Sequence, residues 1–137
     1  MLRDFLQLDK SEWVAENDLA FAIRDAYPVS PGHTLVIPKR VISSWFETTI
    51  EEKIAIFSLV EETKLELEQI YKPDGYNVGI NIGMEAGQTV MHLHVHLIPR
   101  MAQDVDNPEG GVRFVIPSKG NYRKPGFIPS TLKGADK

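Results

Sequence analysis

At 137 residues, 42% of them hydrophobic, the chain fits one domain with enough apolar material to bury a core. A formal net charge of -4 provides no overall basic field, which argues against nucleic-acid binding through general phosphate attraction, and the lack of cysteine excludes disulfides, thiolate metal sites and thiol nucleophiles. The start, Met1-Leu2-Arg3-Asp4-Phe5, has no long apolar signal core, and no run approaches the ~20 apolar residues that cross a bilayer, so a cytoplasmic protein without a membrane partner is expected.

Trp13-Val14-Ala15-Glu16, a polar Asn17-Asp18 turn and residues 19 to 24 predict two strands in a hairpin. Phe21, Ile23 and Asp25 then share one face. A Pro-Val-Ser-Pro-Gly loop at residues 28 to 32 leads to a third strand over 33 to 38, with His33, Leu35 and Ile37 on one side. Residues 43 to 47 suggest a short helical turn. Thr49 followed by Glu52 spells a capping box for a long helix ending near Tyr71, stopped by Pro73 and Gly75. Its apolar stripe, Ile56, Leu59, Val60, Thr63, Leu67 and Ile70, is expected to pack on a sheet, with the glutamates on the solvated side. A fourth strand is predicted over 76 to 82, a loop over 83 to 89 and a fifth strand over 90 to 99. The sum is an α+β fold: an antiparallel sheet of about five strands with one long helix and a short one. Residues 1 to 100 form the expected main domain. Residues 101 to 137, rich in Gly and Pro, read as a tail docked on the domain or on a partner subunit, with a short edge strand over 112 to 116.

The fifth strand carries the chemistry. His92-Leu93-His94-Val95-His96-Leu97-Ile98-Pro99 alternates imidazole with aliphatic, so a strand places three rings on one surface and Leu93, Val95 and Leu97 on the other. Three readings compete: solvated surface histidines, a metal site, or a nucleophile with supporting rings. Residues two apart on a strand are separated by ~6.7 Å, so one zinc ion joins neighbours but hardly all three, and His33 is the candidate for a further ligand. Neutral imidazole is abundant at pH 7 and attacks phosphorus to give a bond that water later breaks, which supports two-step transfer. The preceding Glu85-Ala86-Gly87-Gln88-Thr89 offers backbone donors, a carboxamide and a hydroxyl suited to phosphate.

The run from His92 to Ile98 resembles the signature of the histidine triad family, His-φ-His-φ-His-φ-φ with φ apolar. Residues 85 to 90 resemble the matching loop of the fragile-histidine-triad branch, which hydrolyses diadenosine polyphosphates, and residues 21 to 38 are similar to the family's nucleoside-binding half. The resemblance implies a homodimer with a sheet continuous across its two-fold axis, a nucleotidyl-histidine intermediate and a purine nucleotide or dinucleotide substrate. It implies that His94 is the nucleophile, that His92 sits behind it linked to His33, and that His96 binds phosphate oxygen and assists the leaving group. Gln88 and Thr89 then hold phosphate, Asp25 the ribose hydroxyls, and Asn81 the sugar or phosphate, while Ile23 and Leu35 wall the base. Each has a plainer alternative: Asp25 as a loop cap, Ile23 and Leu35 as core, Thr89 as a hydroxyl bonded to its own backbone. No metal is expected to supply the nucleophile, although magnesium or manganese is compatible with a polyphosphate substrate. Nucleoside phosphoramidates, the substrates of another branch of the family, are the alternative to dinucleoside polyphosphates, and a zinc-dependent hydrolase and a non-catalytic nucleotide sensor are the further alternatives.

Overall fold

The computed structural model describes residues 4–123, 125, 126 and 129. The chain divides into two compact units, Met1–Ala102 and Gln103–Lys137. In the first, strands β1 (Trp13–Glu16), β2 (Ala20–Arg24), β3 (Thr34–Pro38), β4 (Gly75–Ile80) and β5 (Val95–Arg100) form one antiparallel sheet in the order β1-β2-β3-β5-β4. One helix, α1 (Ile50–Tyr71), crosses it, and the short helical element expected over 43 to 47 is a 3-10 turn, Trp45–Glu47.

The two faces of the sheet are covered differently. Val36, Leu93, Val95 and Leu97 join Ile56, Leu59, Val60 and Leu67 of α1 in one core. On the other face Phe21, Ile23, Leu35 and Ile37 are covered by Phe5, with Leu8, Trp13 and Val90 packed around them. This double cover buries four consecutive residues of β2, where alternation alone predicts every second one. The helical stripe faces the sheet as its spacing predicts, except that Ile70, near the helix end, is exposed. Glu52 also departs from its expected solvated position. It is buried, because it closes the capping box with Thr49 and accepts both arms of the Arg40 guanidinium at 2.8 and 2.9 Å.

β5 begins at Val95, five residues later than the strand expected over 90 to 99. The reason lies in its backbone partners: the Leu93 N–H donates to the Ile42 carbonyl at 2.7 Å, and the His92 carbonyl is taken by the His94 ring at 2.8 Å, so neither joins the ladder. β4 likewise stops at Ile80. The edge strand expected over 112 to 116 is instead the 3-10 turn Gly111–Val115, entered through two glycines with positive φ and followed by Pro117, which donates no ladder hydrogen bond. Within this second unit the Arg113 side chain donates to the Gly120 and Lys119 carbonyls and lies over the Tyr122 ring.

Candidate active site

The loop between β2 and β3 folds back so that the Asp25 N–H donates to the His33 carbonyl at 2.9 Å. Gly32 makes the turn with φ near 88°, and a Cβ there would press to 2.8 Å from Leu67, so a larger residue is both strained and crowded. The Val29 N–H is thereby aimed at His33 Nδ1, 3.2 Å away. A backbone N–H only donates, so Nδ1 accepts and the His33 proton sits on Nε2.

That proton fixes the next ring. His33 Nε2–H donates to His96 Nδ1 at 2.9 Å, which leaves the His96 proton on Nε2. Asp25 Oδ2 lies 3.4 Å from the same His33 nitrogen, and Asp25 Oδ1 accepts from the Tyr27 N–H at 2.8 Å. His94 is set from the opposite direction. Its Nδ1 meets the His92 carbonyl at 2.8 Å; a carbonyl only accepts, so Nδ1 carries the proton and Nε2 of the neutral ring is bare. His92 Nε2–H in turn donates to the Pro38 carbonyl at 2.7 Å. The three rings therefore differ in role although they alternate in sequence, and the expected link between His92 and His33 is replaced by one between His96 and His33. His92 lies before the ladder begins, where its ring reaches Pro38 across the sheet.

Burial keeps the relay neutral. It pushes His33 below the ordinary imidazole range against the pull of Asp25. His96 is pushed down to about 4, first by burial and then by His94 and His33, with Asp25 acting the other way. His92 is lowered mainly by burial, opposed by its bond to Pro38.

Of the residues singled out in the sequence, His94, His96, His33, Asp25, Leu35, Asn81 and Thr89 line one cleft of about 300 Å³. Three do not. His92 is buried behind the cleft against Phe5, and Ile23 is core beneath it. Gln88 is buried with its carboxamide committed: Oε1 accepts from the Gly83 N–H at 2.9 Å, and Nε2 donates to the Ser43 and Val90 carbonyls at 2.9 and 3.1 Å. Its amide pins the loop before β5. The cleft also takes in Gly87 of the donor loop, and Phe5, Tyr27, Val29 and Val90, for which the motif implies no individual role. Phe5 presents an edge to His94 with ring centroids 5.3 Å apart. The available signal for Phe5 was an apolar residue after Asp4, whose carboxylate caps the 3-10 turn Phe5–Gln7.

Asp25, His33 and His96 offer ligand atoms that all lie within 4.8 Å of one another, the spacing of a metal trio. The hydrogen-bond wiring disagrees with that use. A metal at His33 Nε2 would need the proton moved to Nδ1, where it would oppose the Val29 N–H, so the trio fits a relay better than a zinc centre.

Residues 8–103 match the family model for the HIT domain. The chain belongs to the HIT domain family. A HIT-like protein of Mycoplasma pneumoniae is 45% identical over 91 residues, 66% of this chain and 63% of the relative. A bis(5'-adenosyl)-triphosphatase of Dictyostelium discoideum is 37% identical over 98 residues, 72% of this chain and 66% of the relative. The matched stretch thus spans slightly under two thirds of both curated relatives. The crystal structure of a HIT family protein from Bacillus anthracis superposes with a TM-score of 0.65 at 40% identity, covering 68% of this chain and 66% of that one. The antiparallel sheet and long helix match the fold of that HIT structure, and among the described residues no helix is long and apolar enough to cross a membrane.

Proposed function

We propose that this HIT protein is a nucleotide hydrolase that works at the α-phosphate through a nucleotidyl-histidine intermediate, with dinucleoside polyphosphates, above all diadenosine polyphosphates, as substrates and AMP as product. The observation that carries the reading is the His94 Nδ1–H bond to the His92 carbonyl, which leaves Nε2 unprotonated on a ring lining the cleft. In the first step Nε2 forms a bond to the α-phosphorus while the bond to the bridging oxygen breaks, and the leaving nucleotide departs with the electron pair. In the second, water attacks the same phosphorus, the phosphorus-nitrogen bond breaks, and AMP leaves as the water's proton passes to solvent. His96 presents Nε2–H to the charge-bearing oxygens, and Thr89 and Asn81 supply further polar contacts. Asp25 is placed for ribose hydroxyls, and Leu35, Phe5 and Val90 for the base.

The neutral state of His96 favours polyphosphate over the phosphoramidate alternative. An amine must gain a proton as it leaves, and a ring with a pKa near 4 donates a hydrogen bond rather than a proton at neutral pH. A nucleoside polyphosphate departs as an anion. Among the described residues no Lys or Arg lines the cleft, so magnesium or manganese arriving on the polyphosphate would mask its charge.

The test offers diadenosine triphosphate, diadenosine tetraphosphate and an adenosine phosphoramidate to wild type and His94→Ala. The variant is expected to lose on the order of 10⁴ in kcat/KM, about 5.4 kcal/mol of barrier, with both dinucleotides preferred by wild type. Rapid quench with labelled substrate should trap the label on His94. Retention of most activity by the variant excludes the mechanism.

A further inference from the structure

Gly79 has no structural reason to be glycine. It sits inside β4, its φ is not positive, and a Cβ added there would meet nothing within 4 Å. Glycine weakens a strand interior, and where neither conformation nor crowding demands it, the remaining explanation is close approach of another molecule. The register sets Gly79 directly opposite His96, on the face of the sheet that carries the relay.

The same strip continues away from the cleft. Ile98 and Arg100 follow His96 on its face of β5, and Asn77 lies opposite Ile98. Arg100 Nη1 donates to Asn77 Oδ1 at 2.7 Å, which holds the guanidinium over this surface. The Cα atoms of His96 and Arg100 are about 13 Å apart along the strand. A guanidinium presents a fixed fork of donors suited to phosphate oxygens, and among the described residues no cation lines the cleft.

From this juxtaposition we propose that Gly79, Asn77 and Arg100 form the berth for the distal phosphates and second nucleoside of a dinucleoside polyphosphate, the distal phosphates bonded to Arg100 and the bridge passing over Gly79. The proposal rests on the reading of the cleft as the α-phosphate site. It adds what distinguishes a dinucleotide from a mononucleotide.

The test is calorimetric binding of AMP and of a methylene-bridged, non-hydrolysable diadenosine tetraphosphate to the full chain, for wild type, Arg100→Gln and Gly79→Val. Wild type should bind the dinucleotide analogue more tightly than AMP. Each substitution should weaken the analogue about tenfold and leave AMP unchanged, the unchanged AMP affinity serving as the control for folding. Equal affinities for the two ligands in wild type overturn the proposal, as does an equal loss of both ligands in Gly79→Val, whose side chain enters open space and so should not disturb the fold. A monomeric Gly79→Val beside a dimeric wild type also overturns it, because the glycine would then serve an interface. Hydrolysis is scored separately: tight binding of the analogue without turnover of diadenosine tetraphosphate supports the berth while removing the hydrolase reading.

Discussion

His33 shows how one backbone donor sets the chemistry of two rings. The Val29 N–H decides its tautomer, and its own Nε2–H decides that of His96. His33→Phe keeps the bulk and removes the relay. Because His33 is one of the groups holding His96 low, the pKa of His96 should rise from about 4 towards the ordinary imidazole value, though burial, the larger cause, remains. More of the His96 ring is then protonated at mildly acid pH, so the acid limb of activity should move to higher pH. An NMR titration of the ring nitrogens reads the shift directly, and an unmoved His96 removes His33 from this positioning role. That relay was only partly legible in the sequence. Alternation in the motif predicts a shared face for the three rings, but hydrogen-bond partners such as the Pro38 carbonyl come from a different strand, and the motif does not contain them. The placement of Gln88 is not legible in the sequence for a related reason. A carboxamide suits a phosphate and a loop carbonyl equally well, and only its burial tells the two apart.

Elements whose signals are local were the legible ones. The N-terminus of α1 follows from two residues, Thr49 and Glu52, which exchange hydrogen bonds at 3.0 and 2.9 Å as the capping box requires. Thr49→Ala removes one of these and should cost about 1 kcal/mol in urea unfolding, with AMP affinity unchanged because the cap is remote from the cleft lining. A neutral result would mean that Arg40, which holds Glu52 and brings its carboxyl to about 2, fixes this end of the helix without the threonine. The first two strands were legible for the same reason, since their turn lies between them. The start of β5 was not, because it depends on Ile42, far along the chain from Leu93, and the cover over Ile23 and Leu35 depends on Phe5, which no periodicity connects to them.

For the whole molecule, the strand order leaves β4 at an edge of the sheet, and α1 turns Ile50, Ile54 and Phe57 outward at 71, 61 and 51% exposure, more apolar surface than a solvated helix face requires. These three side chains line a shallow groove with Lys53, Val60 and Glu61. Family resemblance implies a homodimer, and we propose that these outward helix residues are covered in it, beside the β4 edge. Phe57 lies outside the lining of the histidine cleft, so Phe57→Glu tests assembly without touching the proposed chemistry. Desolvating a carboxylate in an apolar interface should weaken association about 100-fold, about 2.7 kcal/mol, while AMP binding per chain stays at the wild-type value. Sedimentation equilibrium at micromolar concentration reads the change: wild type should run as a dimer and the variant as a monomer. A monomeric wild type sinks the dimer, whereas an undisturbed dimer in the variant places its interface away from this helix face.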